Sequence, residues 1–216
     1  MPFRKFWYNA FYMDHTKREK EIVWAQILYL YVLPVILLYF EIIPNNLRVV
    51  MLLVISMLLY GIVKHAQWTY SDMGINRDFM KDIVPYSLFT IGGVLFLVWL
   101  AQVVPHSPFL EWWENKKFLL LFVPISVLQE VVFRGILMKF LRKAFTSPIF
   151  IILLNSAVFA FMHVIYLNSI FVLPMTFIAG VGFAWMYYRY ENLPLISISH
   201  TILNFTAMIL GFFVIR

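Results

Sequence analysis

Seven apolar runs divide the chain, and short polar segments separate them. A helix needs about 20 residues to cross the ~30 Å hydrocarbon core of a bilayer, and most of the runs have about that length. The second and fifth runs are shorter, so their ends are the least well defined. The predicted spans are Ile22–Ile43, Leu47–Val63, Ile83–Val104, Phe118–Leu141, Pro148–Ile165, Ile170–Tyr188 and Pro194–Ile215. The pattern predicts an all-α, multi-pass transmembrane bundle of about seven helices.

The composition supports this fold class and narrows the possible chemistry. Of the 216 residues, 62% are hydrophobic and 13% are charged, against about 45–50% and about 25% in soluble domains. The length suits one compact bundle rather than two domains. The chain has no cysteine, which excludes disulfides and thiolate chemistry, so a metal site would have to use histidine and carboxylate ligands.

The basic residues predict the orientation in the membrane. Twelve Lys and Arg residues fall in the N-terminal segment and in the loops of the same side, and four fall on the other side, with Arg134 inside a span. The positive-inside rule therefore places the N-terminus in the cytoplasm and the C-terminus outside. Loop charges and anionic lipid headgroups explain the net charge of +6, so we expect membrane lipid and no nucleic acid as a partner.

Three regions follow from the same pattern. Residues 1–21 contain several aromatic and basic residues, and we expect a cytoplasmic or interfacial segment that is retained in the mature protein. Residues 22–117 hold three accessory transmembrane helices. Residues 118–216 hold a four-helix core, and the polar residues that carry candidate chemistry lie in this part of the chain.

The fourth span contains Gln129, Glu130 and Arg134 near its middle. An ionisable side chain in hydrocarbon costs at least a few kcal/mol, so it normally faces the bundle interior and serves a function. Glu130 and Arg134 are spaced i and i+4, which allows them to pair on one helix face. Gln129 projects about 100° away from Glu130 around the helix.

Two later spans carry matching polar positions. Phe159 and His163 are spaced i and i+4, as are His200 and Asn204, so each pair shares a helix face. We expect the polar faces of the three helices to converge on a common hydrated pocket. The alternative is that Glu130 and Arg134 form a structural ion pair and the histidines make interhelical hydrogen bonds, the role also expected of Asn155.

The polar set suggests hydrolysis inside the membrane. A carboxylate paired with histidine can activate water, while a second histidine and an asparagine can donate to a developing oxyanion. Glu130, His163 and His200 could also hold zinc with an open coordination position. A transporter would use similar intramembrane residues, but it predicts corresponding repeats in two halves, and the sequence contains none.

The motifs resemble those of the CAAX protease and bacteriocin-processing (CPBP, or Abi) family. The sequence QEVVFRG at Gln129–Gly135 is similar to the EExxxR signature, Phe159–His163 fits FxxxH, and His200–Asn204 fits HxxxN. The order and spacing of the motifs also agree. The resemblance implies a membrane-embedded helical endopeptidase of the bacterial cytoplasmic membrane, acting on leader peptides or lipidated C-termini.

The resemblance also implies roles for individual residues. Position 129 and His163 would activate water, His200 and Asn204 would stabilise the oxyanion, and Arg134 would organise the site, with Glu130 as the second acid. Phe133 and Phe159 would line the site. A glutamate-type mechanism requires no cofactor, and a zinc-dependent one stays open.

Position 129 departs from the family pattern because it is Gln rather than Glu. A carboxamide can hydrogen-bond a water molecule but cannot accept its proton. Three explanations are open: a Glu-to-Gln change introduced to trap an inactive enzyme, a natural pseudoprotease, or a base supplied by Glu130 after a small helix rotation. The alternative function is therefore a non-catalytic membrane protein that binds peptides or confers bacteriocin immunity.

The depth of the two histidines poses a geometric requirement. At ~1.5 Å per residue, His200 lies about 9 Å from the cytoplasmic end of its span, and His163 lies about 22 Å from the same side. A shared pocket therefore requires helix tilt, a kink, or a fifth helix that begins later than Pro148.

Overall fold

The structure is a computed structural model that describes residues 17–104, 106–166 and 169–213. Most of the predicted N-terminal segment, residues 1–16, and the end of the seventh predicted span, residues 214–216, lie outside the described residues.

The described residues form seven long helices joined by short connections, which confirms the predicted all-α fold. They are α1 (Lys17–Tyr39), α2 (Asn45–His65), α3 (Phe79–Val103), α4 (Lys116–Ala144), α5 (Pro148–Ile165), α6 (Ser169–Tyr190) and α7 (Leu193–Ile209). The first six are long and apolar enough to cross a membrane, and α7 is a shorter apolar helix. The protein is an integral membrane protein.

The helix α7 ends at Ile209, six residues before the predicted end at Ile215. The amide of Gly211 donates to the carbonyl of Met208, and that of Phe212 donates to Ala207. Gly211 adopts φ 81°, so the end of the helix is a Schellman cap. Further apolar residues come after this cap, and for that reason the hydropathy pattern placed the end of the span beyond the true end of the helix.

The helix α4 occupies the centre of the bundle. In its most apolar window 44% of the residues are buried, against 11% in α2 and in α3. Its C-terminal half contributes Phe133, Leu137, Met138 and Leu141, which have no exposed surface. Side chains on α4 are therefore fixed from several sides by neighbouring helices.

The segments predicted to face the cytoplasm meet at one end of the bundle. In the α2–α3 connection, Asp72 pairs with Lys139 of α4 at 2.5 Å, and the Lys139 ammonium lies 4.4 Å from the Trp68 ring centroid. Hydrogen bonding to Lys139 holds the pKa of Asp72 well below its usual range. Arg142 of α4 pairs with Glu191, between α6 and α7.

Gly74 joins the α2–α3 connection to the α6–α7 connection. The Leu193 amide donates to the Gly74 carbonyl at 2.9 Å, and Gly74 has φ 75°. A Cβ atom at this position would lie 2.7 Å from the carbonyl oxygen of Glu191. Both the backbone conformation and the close approach therefore require glycine.

We predict that Gly74→Ala lowers the free energy of unfolding by about 1–3 kcal/mol, the cost of a left-handed non-glycine residue. Thermal unfolding in detergent measures this effect. The control is Gly61→Ala, because Gly61 lies in α2 with no atom within 4 Å of an added Cβ; there alanine should be neutral or stabilising by about 0.5–1 kcal/mol. Equal unfolding midpoints for the two variants would contradict the prediction.

Candidate active site

Glu130, Arg134 and His200 form a buried polar cluster between α4 and α7. Arg134 Nη1 donates to Glu130 Oε1 at 3.0 Å, the contact predicted from their spacing, and neither side chain is exposed. His200 Nδ1 lies 2.6 Å from the same carboxylate oxygen. This contact is short but poorly aligned for a hydrogen bond, since the nitrogen has no partner of good geometry among the described residues.

The Arg134 guanidinium is enclosed by aromatic faces and a backbone carbonyl. Its Cζ lies 4.3 Å from the ring centroid of Phe159 and 5.4 Å from that of Phe183. Nη2 donates to the Gly180 carbonyl at 3.4 Å. Cation–π attraction is strongest where the charge is desolvated, so these contacts replace part of the hydration that Arg134 loses on burial.

A cavity of about 640 Å³ lies beside this cluster. Its wall is mostly apolar and comes from α1, α2, α4, the end of α5, α7 and the α3–α4 connection. The lining includes Gln129 of α4, His163 of α5 and Asn204 of α7. Three of the predicted site residues therefore face one cavity from three separate helices.

The hydrogen bond of His163 fixes its tautomer. Its Nδ1 lies 3.0 Å from the carbonyl oxygen of Phe159. A carbonyl only accepts hydrogen bonds, so Nδ1 carries the hydrogen, and Nε2 of the neutral ring carries the lone pair. The ring also stacks on Tyr166 with centroids 5.8 Å apart. His163 is thus oriented and retains one basic nitrogen.

Asn204 is held next to Gln129 by a serine. Asn204 Nδ2 donates to Ser126 Oγ at 3.2 Å, and Ser126 is buried in α4. Ser126 and Gln129 are spaced i and i+3, so they are neighbours on the same helix. The contact places the amide of Asn204 at the wall of the cavity that also contains Gln129.

The six polar residues therefore divide into two groups rather than one pocket. Gln129, His163 and Asn204 line the cavity, whereas Glu130, Arg134 and His200 are buried beside it. Phe159 lies between the groups, because its ring contacts His163 at 5.0 Å and His200 at 5.6 Å between centroids. Both histidines reach this ring although α5 begins at Pro148, as predicted, so a later start of the helix is not needed.

The two aromatic residues predicted at the site occupy its buried side. The Phe133 and Phe159 rings pack edge to face with centroids 5.3 Å apart, and neither is more than 2% exposed. They pack around the cluster and do not line the cavity. The roles of all these residues in a reaction stay predictions.

Glu130, His163 and His200 do not form the zinc site considered from the sequence. The Glu130 oxygen nearest to His200 is already shared with Arg134, and His163 lines the cavity whereas Glu130 and His200 are buried beside it. Among the described residues, no group of three His, Asp or Glu side chains is arranged to hold a metal ion. The arrangement does not fit zinc, and we assign no step to a metal.

Sequence patterns missed several residues at this site. Tyr31 of α1, Arg48 of α2 and Tyr166 after α5 line the cavity, and Ser126 supports Asn204. Tyr31 lies in an unbroken apolar run and gives no signal. Arg48 is visible in the sequence as a charged residue, but a basic residue at the start of a membrane helix indicates only the orientation in the membrane.

Comparison with known proteins supports the resemblance to the CAAX proteases. Residues 111–206 match the model of the Rce1-like family, described as type II CAAX prenyl endopeptidase Rce1-like. This match confirms the resemblance over the part of the chain that holds the three motifs, α4 to α7. No curated protein and no solved structure matches the chain.

We predict that Arg134→Met lowers the free energy of unfolding by about 3–5 kcal/mol, because it leaves the Glu130 carboxylate buried without its cation. The double variant Glu130→Gln, Arg134→Met removes both charges and should recover most of this loss. Denaturant titration of the purified protein in detergent gives both values. If the double variant is as unstable as Arg134→Met, the loss comes from packing and not from the charge.

Proposed function

We propose that the protein is an intramembrane endopeptidase of the CAAX-protease type, and that its reaction centre is the cavity wall formed by Gln129, His163 and Asn204. One observation carries the proposal: Gln129, and not Glu130, lines the cavity with the other two residues. Position 129 also corresponds to the first Glu of the EExxxR signature, where this chain has Gln. The match of residues 111–206 to a family of endopeptidases supports the same activity.

The proposed chemistry is attack of an activated water on a peptide carbonyl. With glutamate at position 129, the carboxylate and His163 Nε2 would orient the water and take its proton. The amide of Asn204, now bonded to Ser126, would donate to the oxyanion of the tetrahedral intermediate. The same proton would then pass to the leaving amine as the C–N bond breaks. With glutamine at position 129, the water can be bound but not deprotonated there.

Glu130 is less suited to be the base. Its carboxylate forms an ion pair with Arg134 at 3.0 Å and contacts His200 at 2.6 Å, so a rotation toward the cavity would break the ion pair in a buried site. A charge-assisted hydrogen bond of this kind is strong, and a buried charge without a partner is costly. We therefore assign Glu130, Arg134 and His200 to positioning the helices α4 and α7, not to the reacting atoms.

A second candidate function uses the same cavity without turnover. Gln129 keeps a hydrogen-bonding side chain at the cavity wall but removes the proton acceptor. This favours a protein that binds a peptide, as a pseudoprotease or a bacteriocin-immunity protein would. The two candidate functions differ in whether the side chain at position 129 must accept a proton, so a single substitution at this position distinguishes them.

The cavity also suggests a class of substrate. Its wall is mainly apolar, and the lining residues include two cations, Arg48 and Lys117, and no Asp or Glu within the described residues. Apolar walls with a few placed polar groups bind amphiphilic ligands. We propose a peptide with an apolar or lipid-modified segment and a free C-terminal carboxylate, cleaved in a bacterial cytoplasmic membrane. The charge pattern favours this substrate over a leader peptide cut far from its C-terminus.

The first prediction from this proposal concerns position 129. Gln129→Glu should raise the rate of peptide cleavage by about 10²–10⁴-fold, the usual contribution of a general base. On that background, His163→Ala should abolish the gain. A panel of lipidated and leader peptides, incubated with the protein in proteoliposomes and analysed by mass spectrometry, measures both effects.

Each outcome of that experiment has a distinct meaning. Equal cleavage by the unsubstituted protein and by the Gln129→Glu variant would mean that another group carries the chemistry. If neither form cleaves but both bind the same peptide, the function without turnover replaces the protease. Cleavage by Gln129→Glu that survives His163→Ala would contradict the role of His163.

The second prediction concerns substrate binding. On the Gln129→Glu background, Arg48→Gln should raise KM for a peptide with a free C-terminal carboxylate by roughly 10–100-fold, the effect of a hydrogen bond to a charged group, with little change in kcat. A peptide with an amidated C-terminus should have the same KM with and without Arg48→Gln. Arg77→Gln is the control, because Arg77 is an exposed arginine in the α2–α3 connection. An equal loss for both peptides would contradict a carboxylate contact.

A further inference from the structure

The helix α4 changes its hydrogen-bond register at the motif. Residues Val131–Leu137 form a π-helical stretch, in which amides bond to carbonyls five residues earlier instead of four. The amide of Met138 accordingly donates to the carbonyl of Phe133. The stretch begins directly after Glu130 and contains Arg134. The change of register therefore falls between the cavity-lining residue Gln129 and the residue with the buried guanidinium.

Side chains from two other helices bond to this stretch. Tyr31 Oη of α1 donates to the Val132 carbonyl at 3.0 Å. Asn155 Nδ2 of α5 donates to the Phe133 carbonyl at 2.9 Å. Tyr31 is 3% exposed and Asn155 is fully buried. Two consecutive carbonyls in the middle of a membrane helix thus receive donors from outside that helix.

These bonds have a clear physical effect on the register. The Phe133 carbonyl already accepts from the Met138 amide, so Asn155 is a second donor to it, and a carbonyl oxygen has two lone pairs. A membrane interior supplies no water to replace such donors. A wide π turn is rarer than an α turn, so it requires an additional stabilising interaction. The Tyr31 hydroxyl and the Asn155 amide provide such interactions for the π register. The Tyr31 ring also packs edge to face on Phe133, with centroids 5.4 Å apart.

The register decides which side chains share a face. A π turn holds one more residue than an α turn, so residues within and after it rotate relative to those before it. In the observed register Arg134 reaches Glu130 and the Gly180 carbonyl, while Gln129 lines the cavity. A return to α-helical bonding would rotate Arg134 and Gln129 relative to each other.

We propose that Tyr31 and Asn155 are positioning residues that hold α4 in the π register, and so keep position 129 at the cavity wall while Arg134 stays buried. Tyr31 lies outside residues 111–206, so α1 takes part in the site although the match to the family model does not cover it. The effect on catalysis rests on the proposed function, whereas the effect on the register does not.

The first arm of the test is hydrogen–deuterium exchange and needs no activity. Tyr31→Phe removes only the hydroxyl, and Asn155→Ala removes the amide. Each should accelerate amide exchange in residues 131–138 by roughly fivefold, the factor expected for one ordinary hydrogen bond, and leave α2 unchanged. The controls are Tyr29→Phe, at an exposed tyrosine of the same helix, and Ser156→Ala, because Ser156 bonds within its own helix to Ile152.

The second arm uses the Gln129→Glu background. Tyr31→Phe should lower kcat by about 10–100-fold, the cost of a displaced reacting group, with KM nearly unchanged, and the two control variants should keep full activity. Exchange that is unchanged in residues 131–138, or accelerated equally throughout the protein, would overturn the proposal. If Gln129→Glu cleaves nothing, the proposed function fails, and the exchange arm still decides whether Tyr31 and Asn155 hold the register.

Discussion

The burial of one charge constrains the rest of the structure. The Arg134 guanidinium lies in the middle of a membrane bundle with no exposed surface, and a charge in that environment must be compensated or it destabilises the fold. Glu130 supplies the countercharge, Gly180 a carbonyl, and Phe159 and Phe183 their aromatic faces. These partners come from α4, α5 and α6, so a single side chain fixes the packing of three helices.

The same constraint separates structural residues from those that can react. Glu130 and His200 are committed to the buried cluster, and the adjacent cavity receives Gln129, His163 and Asn204. Water activation needs a basic group that a substrate can approach, and only the second group meets that condition. Under the proposed function, the two neighbouring positions of the motif, 129 and 130, have different tasks. In that proposal, a change at position 129 would alter the reaction without removing the Glu130–Arg134 charge pair.

Much of this arrangement could be predicted from the sequence. Hydropathy located the seven helices, spacing predicted the Glu130–Arg134 pair, and the motifs identified the polar residues near the site. Helical periodicity gives no sign of the π-helical stretch Val131–Leu137, where the assumption of 3.6 residues per turn does not hold. Contacts between helices that are distant in sequence, such as Tyr31 with the Val132 carbonyl, produce no pattern in the local sequence from which they could be predicted. The exclusion of His200 from the cavity depends on its contact with Glu130, which spacing within α7 cannot indicate.

Position 129 lines the cavity and position 130 does not, a difference that cysteine labelling can measure. The chain has no cysteine of its own, so Gln129→Cys and Glu130→Cys each carry one thiol. A small water-soluble thiol reagent, applied to folded protein in detergent, should label position 129 at least about tenfold faster than position 130, since reactivity requires an accessible thiolate. Equal rates, or faster labelling at position 130, would mean that the two positions are not divided between the cavity and the buried cluster.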